Sequence, residues 1–252
     1  MKMRLIRNAT VRFTFGSVNI LTDTLFAAKH TMPSFAGKSR NPLVDLPISP
    51  LEALMDIDMI LLSHLHSDHF DSSAQEILPK QIAIYCQPQD ETQLKRLGFL
   101  NVHPIERETV FKGIRIIRSE AQHGSGAVLA EMGPASGYVI ISSREPTIYW
   151  IGDSILFEKV FETIDRFRPE VIITHSSGAV WGTGKELIVM DAEQTLRICA
   201  YASANRVVAI HMDSLDHGTV SRDDLLKAKN RANVSLNNLI IPKDGETLTF
   251  EL

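Results

Sequence analysis

Ser63-His64-Leu65-His66-Ser67-Asp68-His69-Phe70 holds three histidines and one aspartate within the six positions from 64 to 69. The whole chain has nine histidines in 252 residues, so chance clustering is a poor explanation. Just before it lies Met59-Ile60-Leu61-Leu62, an apolar run of strand length. Just after it, Asp71-Ser72 reads as a helix cap. The cluster is therefore expected in a loop at the C-terminal end of a buried strand, where functional groups commonly sit. In an extended stretch, residues two apart point the same way, so His64 and His66 can reach one metal together. The turn that follows swings Asp68 and His69 toward a neighbouring position. Imidazole with carboxylate suits zinc, and also manganese or iron. A lone histidine on an apolar face is ordinarily a satisfied core residue. Three in one loop with an intervening aspartate are not explained that way.

Outward from this segment the chain alternates between strand-like and helix-like stretches. Arg4 to Phe15 alternates, Gly16-Ser17 punctuates, and Val18 to Leu21 resumes, which reads as a hairpin. Residues 25 to 48 read as a long loop, broken by Pro33, Gly37, Pro42 and Pro47. Loops of that length in a compact domain are usually functional or mobile. Strands are expected at Gln81 to Tyr85, twice near Thr109 to Arg118, and as a hairpin of Gly137 to Ser142 with Thr147 to Ile151. Helices are expected at Asp90 to Leu97, Phe157 to Phe167 and Asp191 to Ala202. Ser221 with Asp224 predicts a capping box opening a helix to about Ala232. Further strands are expected at Val171 to Thr174, Arg206 to Ile210, Leu239 to Ile241 and Thr247 to Leu252. Two sheets with helices outside would bury this pattern, so the expectation is α/β (α+β), one four-layer αββα sandwich over residues 1 to 252.

Four donors in one loop cannot close two metal sites, so others should arrive from later strand ends. His123 in Ala121-Gln122-His123-Gly124-Ser125-Gly126, Asp153 in Ile151-Gly152-Asp153-Ser154, and His211 after Val207-Val208-Ala209-Ile210 share that placement. The glycines beside them let backbone approach a crowded site. Taken together, the pattern resembles the metallo-β-lactamase superfamily, whose signature is HxHxDH followed by His, Asp and His. The likeness runs from Asp23 to Asp244-Gly245. Within that superfamily the chain is most similar to the lactonase-like metal-dependent hydrolases, the ascorbate-6-phosphate lactonase relatives. That narrower likeness is carried by Ala36 to Pro47, Gly137-Tyr138-Val139-Ile140, Ile148-Tyr149-Trp150-Ile151-Gly152-Asp153 and Val208-Ala209-Ile210-His211-Met212-Asp213.

The resemblance implies two adjacent divalent metal ions, with Zn2+ favoured and Mn2+ or Fe2+ as alternatives. His64, His66 and His123 would hold the first, Asp68, His69 and His211 the second, and Asp153 would bridge them. Asp23 matches the family's early aspartate, which supports the site from behind the ligands; Thr24 stands where relatives often have proline. Two such ions sharing a water lower its pKa toward neutrality and make it the nucleophile. Asp68 and His211 are the members of the set assigned to catalysis, Asp68 orienting the nucleophile or passing its proton on. The expected reaction is hydrolysis of a small-molecule ester or lactone. A phosphodiesterase acting on a nucleotide or RNA is the alternative, and an iron-binding redox or non-catalytic module is a third reading. Relatives often assemble as oligomers, so a homo-oligomer is an open expectation.

Four other residues are candidates for substrate contact. Arg40, in the early loop, has the charge to grip an anionic group, against the plainer reading of a solvated side chain. His175 follows the strand from Val171, and His217 lies shortly after His211; for both the alternative is a local structural role. Trp181, in Gly178-Ala179-Val180-Trp181-Gly182-Thr183-Gly184, is placed to line a pocket wall. That stretch lacks the Gly-Lys-Ser/Thr ending of a phosphate-binding loop. Hydrophobic residues make up 44% and charged residues 22% of the chain, an ordinary globular balance that excludes a disordered or fibrous protein. The formal net charge of -4 argues against a large nucleic-acid partner. Two cysteines cannot build a disulfide framework, which with the absence of an export or membrane signal leads to a cytoplasmic expectation.

Overall fold

Met59–Leu61 is apolar and buried at every position. A run buried on both faces suits the interior of a parallel sheet, and it pairs in parallel with Val18–Thr22 on one side and Ala83–Cys86 on the other. The computed structural model describes residues 1–203, 205–232 and 237–251. The first sheet runs, in spatial order, Thr247–Thr249, Lys2–Arg7, Thr10–Phe15, Val18–Thr22, Met59–Leu61, Ala83–Cys86 and Val102–Pro104. The second runs Leu239–Ile240, Arg206–Ile210, Val171–His175, Ile148–Trp150, Ser136–Ile141, Ile114–Glu120 and Glu108–Phe111. It is parallel from Ile148–Trp150 to Leu239–Ile240 and antiparallel on its other side.

Side-chain alternation along each strand divides the core into layers. Val171 and Ile173 turn inward, joining Phe13, Ile20 and Leu61 of the first sheet in a core shared by both sheets. Ile172 turns outward onto Val160, Ile164, Ile198 and Leu225, which come from the helices Glu158–Phe167, Ala192–Tyr201 and Arg222–Arg231. On the opposite side, Ile60 and Ile84 meet Ala53, Ala74 and Leu94 from the helices Pro50–Leu54, Ser72–Ile77 and Glu91–Arg96. These are the four αββα layers that the sequence pattern predicts.

Local signals set the element ends. Asp71 caps its helix by accepting from the Ser73 and Ala74 N–H groups, and Ser221 with Asp224 forms the expected capping box. The alternating run Arg4 to Phe15 is two strands, Lys2–Arg7 and Thr10–Phe15, because Asn8 turns the chain at φ +58°. Asparagine is among the few residues that tolerate that conformation. The helices Pro50–Leu54 and Gly126–Met132 were not anticipated. The first has a clear start, since the Ser49 side chain accepts from Glu52 N–H and Pro50 occupies the first turn. The second is hidden by the glycines around Ser125, which read as a helix breaker. The last strand ends at Thr249, short of the expectation; Leu252 lies outside the described residues. Residues 25–48 lack regular strands and helices, apart from a bridge between Met32 and Asn41. Fully buried Arg7 ties this segment down, donating to Val44 O at 3.0 Å, Leu25 O at 2.9 Å and Ala27 O at 2.7 Å. Among the described residues no helix is long and apolar enough to cross a membrane.

Candidate metal centre and its cleft

Each expected donor follows the C-terminal end of a strand. His64 to His69 follow Met59–Leu61, His123 follows Ile114–Glu120, Asp153 follows Ile148–Trp150, and His211 follows Arg206–Ile210. The strand ends converge, and the donors form two groups: His64, His66 and His123, and Asp68, His69, Asp153 and His211. Within each group the donor atoms lie within 4.8 Å of one another. Asp153 faces both groups, its Oδ2 lying 3.1 Å from His69 Nε2 and 3.6 Å from His123 Nε2. Its approach depends on Gly152, which has φ +73° and where a Cβ would meet Ser136 O at 2.6 Å. His211 has φ +67° and Asp23 φ +24°, strained backbone of the kind that collects at functional sites.

The rings are oriented from behind. His69 Nδ1–H donates to Asp23 Oδ2 at 2.7 Å, His66 Nε2–H to Met132 O at 3.0 Å, and His123 Nδ1–H to Ile188 O at 2.8 Å. A carboxylate or carbonyl only accepts, so each bond places the proton on that nitrogen and leaves the other as a lone pair. The lone-pair nitrogens of His66 and His123 face each other at 3.3 Å. His64 Nδ1 bonds to Ser63 Oγ at 2.9 Å, while its Nε2 is buried without a hydrogen-bond partner. A buried unpaired polar atom is costly, and a cation is the partner that suits it here. Asp23 also accepts from Ser63 N–H at 2.8 Å and Ser63 Oγ–H at 2.6 Å, so one buried carboxylate positions both ends of the His-rich loop.

The electrostatics agree with the donor chemistry. Burial and the neighbouring rings of His69 and His66 push His64 well below the ordinary histidine range, which keeps it in the ligating neutral form. Burial also lowers His123. Burial works to raise Asp68 and Asp153, but the adjacent His69 and His211 outweigh it and hold both carboxyls well below the usual carboxylate range. Burial works to lower His69, yet Asp153, Asp68 and Asp23 drive it well above the ordinary range. The buried carboxylates thus demand positive charge, which a bound cation meets in place of a proton. The residues fit two divalent ions.

His175 is fully buried, and it belongs to the support of Asp153 rather than to the cleft. Its Nε2 accepts from Trp150 Nε1–H at 2.9 Å, which leaves Nδ1 to donate to Asp153 Oδ1 at 2.5 Å. Burial pushes its pKa down to about 4, so it stays neutral. The Arg40 guanidinium donates to His30 O at 2.9 Å and Thr31 O at 2.8 Å, and Arg40 is not among the residues lining the cleft. Trp181 and His217 do line it. Trp181 Nε1–H donates to Glu131 Oε1 at 2.7 Å. His217 is 6% exposed, with its Nδ1 buried and unpartnered.

The cleft has a volume of about 290 Å³ and opens onto His66, Asp68, His123 and Asp153. Phe35, Met132, Trp181 and Ile188 give it apolar walls, and among the described residues no lysine or arginine lines it. Sequence reasoning missed Phe35, Glu131, Met132 and Ile188. Trp181 and His217, which line it too, are singled out by the sequence; the missed residues lie on a helix hidden by glycines or in loops without periodicity.

Comparison with known proteins agrees with this geometry. A family profile described as a beta-lactamase superfamily domain matches residues 18–212. UPF0173 protein YddR of Bacillus subtilis is 32% identical over 260 aligned positions, covering 99% of this chain and all of YddR. A possible metal-dependent hydrolase from Veillonella parvula has a crystal structure that superposes with a TM-score of 0.95 at 31% identity, covering 99% of each chain. The isothiocyanate hydrolase from Delia radicum gut bacteria superposes with a TM-score of 0.93 at 33% identity, covering 100% of each chain.

Proposed function

The chain belongs to the metallo-beta-lactamase superfamily and, within it, to the UPF0173 metal-dependent hydrolases, and on that premise we propose that it hydrolyses a small, neutral electrophile with an apolar tail, using two divalent cations. The observation behind this reading is a seven-donor floor beneath a cleft with apolar walls and, among the described residues, no lysine or arginine in its lining. Recognition of a phosphodiester ordinarily uses such cations, so a nucleotide or RNA substrate fits this cleft poorly. A lactone and an isothiocyanate are both neutral carbon electrophiles. The isothiocyanate is placed first, because a full-length relative of 33% identity bears that activity in its name.

His64, His66 and His123 would hold one ion, and Asp68, His69 and His211 the other, with Asp153 between them. Zinc suits this set best; manganese and iron are the alternatives. When bound, the ions supply a lowered water pKa and positive charge at the attacked group. The protein does the rest. Asp23, Met132 O and Ile188 O fix ring orientation before substrate arrives. Asp68, held ionised and lining the cleft, orients the attacking water. Phe35, Met132, Trp181 and Ile188 bind the tail and exclude bulk water. With an isothiocyanate R–N=C=S, the water oxygen bonds the central carbon, one proton goes to nitrogen and the other to sulfur. The product R–NH–C(=O)–SH then fragments to the amine and carbonyl sulfide.

A panel run on protein reconstituted separately with Zn2+ and Mn2+ tests this. Benzyl isothiocyanate, a γ-lactone, a p-nitrophenyl ester and bis(p-nitrophenyl) phosphate are the substrates. Turnover of the neutral substrates, with the isothiocyanate fastest, is the expected result. Turnover of the phosphodiester alone would overturn the reading.

A further inference from the structure

The cleft has a rim that none of the metal donors supplies. The irregular segment 25–48 contributes Phe35 to it. A carboxylate from far along the chain holds that part of the segment in place. Asp216 accepts from the backbone N–H groups of Phe35 at 2.9 Å, Ala36 at 3.1 Å, Lys38 at 3.2 Å and Ser39 at 3.3 Å. It also accepts from Asn41 Nδ2 at 3.0 Å and from the Ser34 hydroxyl. Asn41 Oδ1 accepts in return from Asp216 N–H at 2.9 Å. Burial works against the charge of Asp216, but the bonds from Ser34, Asn41 and the loop backbone outweigh it and keep the carboxyl ionised. Charge-assisted bonds of this kind are about twice as strong as neutral ones, which is why one side chain can order a loop with little secondary structure.

The next residue faces the cleft. The His217 ring meets the Phe35 ring edge-on, with centroids 5.2 Å apart and planes at 87°. Two adjacent residues therefore anchor the loop and supply the surface on which its aromatic packs. We propose that Asp216 is a positioning residue for substrate recognition: by holding Ser34 to Asn41 it seats Phe35 against His217, and that pair forms the wall that receives the apolar tail of the substrate. The kinetic readout of this inference rests on the proposed reaction; the binding readout does not.

The test uses zinc-loaded wild type, Asp216→Asn, Phe35→Ala and the double variant. Asparagine keeps the shape of Asp216 but loses the charge and turns an amide N–H toward the loop's own donors. The probes are N-benzylthiourea and N-methylthiourea, which share a head group and differ in tail. Their binding is followed by tryptophan fluorescence, since Trp181 lines the cleft and the other tryptophan, Trp150, is fully buried. Asp216→Asn is expected to weaken the benzyl probe about five- to tenfold and the methyl probe less than about twofold. The double variant should bind the benzyl probe no more weakly than Phe35→Ala alone, because coupled residues are non-additive. KM for benzyl isothiocyanate should rise by the same factor with kcat and zinc content held. A purely structural role for Asp216 would not distinguish the two tails. Ser34→Ala, which removes one bond to the carboxylate, should shift the benzyl probe in the same direction by less, and serves if Asp216→Asn does not fold. Equal benzyl affinity in wild type and the anchor variants, or additive effects in the double variant, would overturn the inference. No isothiocyanate turnover with the tail-dependent binding intact would sink the proposed reaction and leave this inference standing.

Discussion

The metal floor and the cleft rim lie next to each other and are built in opposite ways. The floor uses strand ends: its side chains are almost all buried, and each ring is held by a hydrogen bond from behind. The rim uses segment 25–48 and helix Gly126–Met132, outside both large sheets and tied by side-chain bonds such as Asp216 to Phe35 N–H and Gln87 to Pro134 O. It also uses Trp181, which sits in a separate two-stranded hairpin of Val180–Trp181 with Glu186–Leu187. A floor of this kind positions charge within tenths of an ångström, which metal chemistry needs. A rim of this kind accepts sequence change without disturbing the floor. On the proposed reaction, the contrast assigns reaction type and substrate choice to separate parts of this molecule.

The contrast breaks most sharply at Asp153, which faces both donor groups. Asp153→Ala should lower hydrolysis by at least about a thousandfold, with bound metal, read by plasma mass spectrometry, falling below two ions per chain. Full activity in that variant would show that the floor is not the reacting centre. One layer further out, Asp23→Asn should cost about 10- to 100-fold in metal affinity or activity, measured by competition with a chelating dye. The loss should come with an unchanged KM in the metal-saturated enzyme. At the rim the pattern should reverse. Trp181→Ala should raise KM about three- to tenfold for aromatic substrates, with kcat and metal content held, as steady-state kinetics will show.

The smallest expected effect separates burial from site chemistry. Asp90 is buried like Asp153, but its Oδ2 has no partner. Burial pushes its pKa up to about 6, where Asp153 is held down by histidines. The native state of the chain therefore binds this proton more tightly than the unfolded one. That contribution to stability is present below about pH 4 and is lost as pH rises through 6. Asp90→Asn should accordingly leave the melting temperature little changed at pH 4, and raise it by the equivalent of about 1–2 kcal/mol at pH 8. A melting temperature shift independent of pH would show that Asp90 has the same pKa in the native and unfolded chain.

How much of this was legible in the sequence follows the same division. The floor was legible because metal ligation demands particular residue types, and HxHxDH concentrates four of them in one loop. Asp153 and His211 were placed by the apolar runs before them, since a buried strand announces its own end. The four layers were legible from strand and helix periodicity. The rim was not. Phe35, Ile188 and Met132 are ordinary apolar residues whose neighbours come from distant parts of the chain. Arg40 had the charge to suggest a substrate grip, yet its guanidinium serves two carbonyls of its own loop. His175 sits at a strand end like the donors, and only the bond from Trp150 shows that it serves Asp153 from behind.

The most direct measurement is metal stoichiometry against activity. Chelated protein, titrated with Zn2+ while hydrolysis of benzyl isothiocyanate and of a lactone is recorded, should gain activity as binding approaches two ions per chain and plateau there. Hydrolysis undiminished in the metal-free protein, or a plateau in binding well below one ion per chain, would contradict a reaction built on these seven side chains.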